Sequence, residues 1–173
     1  MLTPARIPPH KPVEHDPGAA RRLEMCRLLT AGEQRVSVCS LELERAGPSY
    51  TVDTLSVIHT SHPQAELTFI VGADIAATMP AWHEPRRLFE LAEVAVAARA
   101  GADRRAVRDA LTPLTPPPGR VRFLDSPSID VSSSLVRERA GAEQSLERLV
   151  GADVAAYIVE HGLYGARARE ASR

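Results

Sequence analysis

The chain is 173 residues long, with 21 basic and 22 acidic side chains for a formal charge of -1, and with 44% hydrophobic and 25% charged residues. A domain of that length buries about 70% of the surface its unfolded chain would expose, and this composition excludes a disordered, collagen-like or coiled-coil chain. Near-balanced charge argues against a protein that wraps duplex nucleic acid or coats an anionic membrane, although a few well-placed cations still suffice for a local anion site.

In chain order, Met1–Ala5 is too short to judge by period and is compatible with the end of a strand. Pro8, Pro9, Pro12 and Pro17 make Arg6–Pro17 a loop. Asp16-Pro17 then reads as an N-cap followed by proline in the first helical turn. Leu23, Cys26, Leu28 and Leu29 supply the helix face, and Gly32 is the expected stop. Val36, Val38, Leu41 and Leu43 suggest an extended segment. Thr51–His59 reads as a helix with Val52, Leu55 and Ile58 spaced three apart, ended by His62-Pro63. Leu67–Val71 is a short apolar run broken at Gly72, the pattern of a strand buried on both faces of a parallel sheet. Glu84-Pro85 opens a helix with Leu88, Phe89 and Leu91 inward, and Val94–Ala97 is a second buried strand. Ala106–Leu111 is helical, Thr112–Gly119 is a proline-rich connector, and Val121–Leu124 is a third strand. Ser132–Arg139 and Val150–His161 are the last helices, closing at Gly162. Strands alternating with helices predict an α/β fold with a mostly parallel sheet and helices on both faces. A single domain over 1–165 is expected, with a flexible tail at 166–173.

Cys26 and Cys39 are the only cysteines and have no metal-ligand spacing, so two buried thiols in a reduced compartment are expected and no metal site. No apolar run reaches 18 residues, and Met1–Pro12 has no signal-peptide core. A cytoplasmic protein is the expectation.

Ligands of open α/β sheets bind beyond the carboxyl ends of the strands, and three such ends carry polar clusters. The first is Pro8-Pro9-His10-Lys11, where Lys11 is the only lysine of the chain. A proline-stiffened loop is a pre-ordered place for an anion contact; it is equally an ordinary exposed loop. The second is Gly72-Ala73-Asp74, which sets a carboxylate beside backbone that a ligand can approach closely, as ribose hydroxyls require. Read alone, Asp74 is also a plain helix cap. The third is Asp130-Val131-Ser132-Ser133-Ser134-Leu135-Val136-Arg137. Serine hydroxyls, uncapped N–H groups and a guanidinium one turn along would meet a phosphate chain together. Alone, that cluster is also a serine N-cap with a solvated arginine. Trp82, the only tryptophan, lies between Pro80 and Pro85; it can pack on the core or offer a flat face to an aromatic ring. Arg99 follows the second buried strand and can meet a phosphate or face water.

Taken in order, these segments resemble the bacterial nicotinate-nucleotide adenylyltransferase family of the nucleotidyltransferase superfamily. The resemblance runs through Pro4–Lys11, Ser49-Tyr50-Thr51-Val52-Asp53-Thr54-Leu55, Phe69–Asp74, Trp82-His83, Val94–Arg99, Val131–Arg137 and the tail Tyr157-Ile158 … Gly162-Leu163-Tyr164. The serine–arginine helix start is shared superfamily-wide; the Ser-Tyr-Thr-x-Asp-Thr-Leu and Trp-His stretches are more specific. The resemblance implies a Rossmann-like nucleotidyltransferase sheet. It implies transfer of an adenylyl group from ATP to nicotinate mononucleotide, giving nicotinate adenine dinucleotide and pyrophosphate, with magnesium riding on the ATP phosphates. Trp82 would then stack on the pyridine ring, Thr51 and the backbone near His83 would hold its carboxylate, and His10, Lys11 and Arg99 would serve the mononucleotide. Gly72 and Asp74 would meet the ATP ribose, and Ser132, Ser133, Ser134 and Arg137 its phosphates.

Three departures follow from the same resemblance. Ser134 stands where threonine is usual, and Ser128 where some members present a second aromatic to the pyridine. No segment of the chain reads His-x-Gly-His, the turn that in the family follows its first, central strand, so no catalytic residue is identified. Met1–Ala5 corresponds to the family's second strand, and the stretch not represented is roughly one βα unit of about 30 residues. Two strands would then have unpaired inner edges, at about 1–3 kcal/mol per buried unpaired group, against a total stability of about 5–15 kcal/mol. The expectation is a marginally stable, catalytically impaired chain, with a start upstream of Met1 for the gene. An inactive nucleotide-binding protein derived from this family, and a different adenylyltransferase such as one acting on phosphopantetheine, remain as alternatives.

Overall fold

The computed structural model describes residues 1–7, 16–98, 103–125 and 131–166. His10, Lys11, Arg99 and Ser128 lie outside the described residues, as does all but the first residue of the expected tail. In chain order the described elements are α1 (Ala19–Thr30), α2 (Leu41–Glu44), α3 (Thr51–Ser61), β1 (Thr68–Gly72), α4 (Ala73–Ala76), α5 (Pro85–Leu91), β2 (Glu93–Ala98), α6 (Arg104–Leu111), β3 (Val121–Asp125), α7 (Ser133–Gly141), α8 (Glu147–Val150) and α9 (Ala152–Glu160). Short 3-10 turns occupy Met79–Ala81, Thr112–Leu114 and Leu163–Gly165. The chain divides into two compact units, one of Met1–Ser49 with Asp130–Arg173 and one of Tyr50–Ile129.

The Tyr50–Ile129 unit holds a parallel sheet in the order β1-β2-β3. Its register aligns Val71 with Val96 and Val96 with Phe123. Helices α5 and α6 fall between successive strands, the alternation that parallel pairing demands. Strand β2 is the middle strand, and its continuous Val94-Ala95-Val96 run is fully buried, as a two-sided strand requires. Leu88 and Phe89 of α5, Val107 and Leu111 of α6, Val52 and Leu55 of α3, and Met79 complete this core.

The structure corrects one strand reading here. Strand β1 is not buried on both faces: Val71 is buried, but Ile70 is 65% exposed. β1 is an edge of the sheet among the described residues, and of its two faces the one bearing Val71 is buried while the one bearing Ile70 is not. An apolar run alone cannot report which neighbours a strand has.

The other unit is built on α1, α7 and α9. Val136, Ala140, Leu146, Val154, Ala155, Ile158 and Leu163 form its core, with Met25 and Leu28 of α1 packed against them. Leu2 and Val38 make a parallel bridge, closed by Leu2 N donating to Ser37 O at 2.7 Å and Cys39 N donating to Leu2 O at 2.8 Å. Four local expectations are corrected. Leu41 and Leu43 are helical rather than extended, because Ser40 starts a turn: its carbonyl accepts from Leu43 and Glu44, and its hydroxyl donates to Glu44 Oε1 at 2.6 Å. Leu29 is 61% exposed and lies off the buried face of α1, which Leu23 and the packed Met25 and Leu28 define. The N-cap position of α1 is Gly18 rather than Asp16, whose carboxylate instead accepts from Gly18 N at 3.1 Å. The single last helix is two, α8 and α9, because Gly151 sits between them at φ 82°, a left-handed conformation that ends a helix.

Buried Ser49 fixes the opening stretch. Its hydroxyl accepts from Arg6 N at 2.9 Å, and its own N–H donates to Ile7 O at 3.0 Å. Ser49→Ala removes the acceptor and strands the Arg6 amide, so a loss of about 1 kcal/mol is expected. A lower urea midpoint with an unchanged slope is the expected result; an unchanged midpoint would show that the contact contributes nothing.

Candidate functional site

Two groups of predicted residues are ordered, one in each unit. In the Tyr50–Ile129 unit, Thr51 is the first residue of α3, and Tyr50 occupies its N-cap position without a side-chain cap. The first amides of α3 therefore lack intrahelical partners, the situation of any helix start. The Tyr50 ring stacks on the His83 imidazole, with centroids 4.3 Å apart and planes 26° apart. That contact brings the start of α3 to the Trp82-His83 segment across 33 positions of sequence.

Trp82 follows the Met79–Ala81 turn and is half-buried. Its Nε1–H donates to Thr78 Oγ1 at 3.0 Å, and it meets Phe69 of β1 edge-on at 6.1 Å. The Thr78 hydrogen bond and the Phe69 contact help hold the indole, which keeps part of its surface in solvent. After His83 the chain turns sharply: Glu84 has φ 44°, a left-handed conformation that costs a non-glycine residue and is typical of segments aimed at a ligand. Glu84 pairs with Arg87 at 3.1 Å, and its other oxygen lies 3.7 Å from His83 Nε2.

Gly72 closes β1 and Asp74 stands in the first turn of α4, exposed. A side chain on Gly72 would run into Asp74 Oδ1 at 2.9 Å, so the glycine is what lets the carboxylate fold back against the strand end. Asp74 is not the N-cap of α4; that position is Gly72.

In the other unit, Ser132 caps α7, its hydroxyl accepting from Leu135 N at 3.1 Å. Ser133 and Ser134 are exposed, and Arg137 Nη2 donates to Ser134 Oγ at 3.3 Å. The guanidinium therefore lies along the first turn of α7, beside that turn's amides. Ser132 thus serves the helix, while Ser133 and Ser134 stay exposed beside Arg137. Tyr164 lies in the same surroundings. Burial pushes its hydroxyl's pKa up, Asp16 pushes the same way, and Arg22 and Arg137 pull against them. Its backbone is left-handed at φ 58°, and its carbonyl lies close to Gly141 at the end of α7.

Sequence reasoning passed over Tyr50, Thr78 and Arg22. Tyr50 had a signal, an aromatic residue directly before a helix start inside the most family-specific motif. Among the described residues no three histidine, cysteine, aspartate or glutamate side chains converge on a metal position. No helix among them is long and apolar enough to cross a membrane.

The cytidylyltransferase-like family model matches residues 1–139. The parallel sheet flanked by helices is that of a nucleotidyltransferase with a Rossmann-like fold. A Geobacillus kaustophilus protein named probable nicotinate-nucleotide adenylyltransferase is 41% identical over 164 residues, 95% of this chain and 71% of the relative. A Symbiobacterium thermophilum protein of the same name is 38% identical over 165 residues, 95% of this chain and 79% of the relative. The chain belongs to the nicotinate-nucleotide adenylyltransferase family. Its fold is similar to that of a Plasmodium falciparum nicotinic acid mononucleotide adenylyltransferase complexed with NaAD, with a TM-score of 0.70, 17% identity, and 94% of this chain and 80% of that one covered.

Proposed function

We propose that the chain binds ATP and nicotinate mononucleotide and serves transfer of the adenylyl group between them, in NAD biosynthesis in the cytoplasm. An oxygen of the mononucleotide phosphate attacks the α-phosphorus of ATP, the bond to the bridging oxygen breaks, and pyrophosphate leaves with its electron pair. No covalent enzyme intermediate is needed, and holding two nucleotides in line supplies up to about 7–11 kcal/mol of the barrier.

One observation carries the mononucleotide assignment: the Tyr50–His83 stack, which joins the α3 start to Trp82. A pyridine carboxylate needs N–H donors beside a flat apolar face, and Thr51, the His83 backbone and the Trp82 indole are of that kind. His10, Lys11 and Arg99 are assigned to the mononucleotide by the resemblance and by their charge. Gly72 and Asp74 are assigned to the ATP ribose, and Ser132, Ser133, Ser134 and Arg137 to its phosphates, with Ser132 acting through the helix start it caps. These last donors suit an anion and not a bare cation. Magnesium would arrive on the ATP phosphates, where it neutralises charge on the leaving pyrophosphate.

A second reading rests on the sequence itself. None of the 173 residues forms a His-x-Gly-His turn. Loss of one donor to the developing charge costs about 3–4 kcal/mol in the oxyanion hole of a serine protease, and a comparable loss at the α-phosphate would strongly reduce turnover by this polypeptide. An inactive chain that retains nucleotide binding is the alternative. Incubation with ATP, magnesium and nicotinate mononucleotide, with chromatography for the dinucleotide, separates the two readings. Trp82 fluorescence during the titration reports binding in either case. A folded protein whose emission does not change at millimolar mononucleotide would overturn the pocket itself.

A further inference from the structure

Glu84 stands in the left-handed region at φ 44° and ψ 54°, directly before Pro85, the first residue of α5. That backbone is costly for a non-glycine residue, and a following proline favours extended geometry at the same position. A strained turn of this kind persists only where its surroundings hold it. Here they hold it from both sides. Tyr50, directly before the first turn of α3, lays its ring on the His83 imidazole, with centroids 4.3 Å apart and planes 26° apart. One Glu84 oxygen accepts from Arg87 Nη1 at 3.1 Å, and the other lies 3.7 Å from His83 Nε2. The Glu84 carbonyl also accepts from Arg87 N at 3.1 Å.

The His83 and Glu84 side chains are each 47% exposed, so ion pairing by itself adds little. The contacts supply direction instead. Stacking fixes the plane of a ring, and the imidazole is gripped on its face by Tyr50 and approached at Nε2 by the Glu84 carboxylate. The backbone of residues 82–84 is thereby tied to the start of α3, whose first amides have no intrahelical partners. Where N–H donors meet both oxygens of a carboxylate, a carboxamide must set its NH2 against one of them, and two donors cannot pair. That discrimination lasts only while the donors are unable to turn away.

We infer that Tyr50 and Glu84 are positioning residues that make the site select the carboxylate of nicotinate mononucleotide over an uncharged carboxamide: with the His83 ring gripped between them, they hold the turn at residues 82–84 in one orientation against the α3 start. The inference rests on the proposed seat of the pyridine ring at Trp82.

The test measures, by calorimetry on the full chain, affinities for nicotinate mononucleotide, nicotinamide mononucleotide and ATP. The proteins are the parent, Tyr50→Ala, Tyr50→Phe, Glu84→Gly and Trp82→Ala. The parent is expected to prefer the nicotinate form. Tyr50→Ala and Glu84→Gly are each expected to lower that preference about tenfold, the loss of one hydrogen bond to a charged group, with ATP kept within about threefold. Tyr50→Phe retains the stacking face and is expected to retain the preference. Glycine at position 84 adopts the left-handed backbone without strain and many other conformations besides. The melting temperature of Glu84→Gly is therefore expected to be no lower than the parent's, so a fall in its preference is not a loss of fold. A parent without preference, or a Tyr50→Phe variant that loses it, would overturn the role. If Trp82→Ala weakens nicotinate mononucleotide while Tyr50→Ala and Glu84→Gly keep the parent's preference, the positioning role alone falls. If Trp82→Ala binds nicotinate mononucleotide like the parent, the pyridine seat falls and takes the positioning role with it. Glu84→Gly carries the test should Tyr50→Ala fail to fold, and loss of the fold in both would assign the two residues to stability instead.

Discussion

Replacing Trp82 with alanine is expected to weaken nicotinate mononucleotide binding ten- to a hundredfold and to leave ATP binding within about threefold. Stacking of a base on an aromatic side chain contributes about 1–3 kcal/mol, and each 1.4 kcal/mol is tenfold in affinity. The indole is suited to the task because it is half-buried and held at its polar edge. Its Nε1–H is committed to Thr78, and Phe69 meets it edge-on, so its orientation is set before a ligand arrives. Alanine removes the ring and those contacts together. Trp82→Phe separates the two contributions: it keeps a flat ring and loses the Thr78 bond, so affinity is expected to fall no more than about threefold. Calorimetry is the measurement of choice, since either substitution deletes the only tryptophan. An alanine variant that folds normally and binds the mononucleotide like the parent would remove the pyridine ring from this pocket.

How far the site was legible before the structure depends on the kind of information each residue carries. The three strands of the sheet announce themselves as apolar runs ended by glycine or polar residues, and their positions hold to within about two residues. What the runs did not reveal was position in the sheet. Leu67–Val71 and Val94–Ala97 look alike as strings, yet β2 is covered on both sides and β1 leaves Ile70 exposed. Local hydrogen bonding decided the other differences. Ser40 turned an apparent strand into a helical turn, and Gly151 broke one helix into two. Among the candidate residues, local groupings were readable: Ser132, Ser134 and Arg137 share one helix start, and Gly72 and Asp74 one strand end. The Tyr50–His83 stack and the Arg22 grip on Ala5, Arg6 and Asp16 were not, because each joins segments that no periodicity relates. His10, Lys11 and Arg99 lie outside the described residues, so their assignment rests on the resemblance and on charge.

Arg137→Ala is expected to weaken ATP binding about thirtyfold and to leave nicotinate mononucleotide nearly untouched. A hydrogen bond to a charged group contributes about 1.5–3 kcal/mol, and about 2 kcal/mol, within that range, is thirtyfold in affinity. The helix supports that estimate. Ser132 caps α7 through Leu135 N, which leaves the Ser133 and Ser134 amides pointing out of the first turn, and Arg137 lies one turn along with Nη2 on Ser134 Oγ. Dipole, amides and guanidinium then act on the same phosphate group. Arg137→Lys keeps the charge and loses the two-pronged geometry, so an intermediate loss of about tenfold is expected. Raising the salt concentration should weaken ATP binding more in the parent than in Arg137→Ala, because the attraction being screened is absent from the variant. Ser132→Ala serves as the contrast. Its hydroxyl is engaged in the cap, so its removal is expected to cost about 1 kcal/mol of stability and to affect ATP only as far as the first turn of α7 frays. If Arg137→Ala instead lowers the melting temperature and binds ATP like the parent, the arginine is a structural partner of Ser134, and the phosphates are held elsewhere.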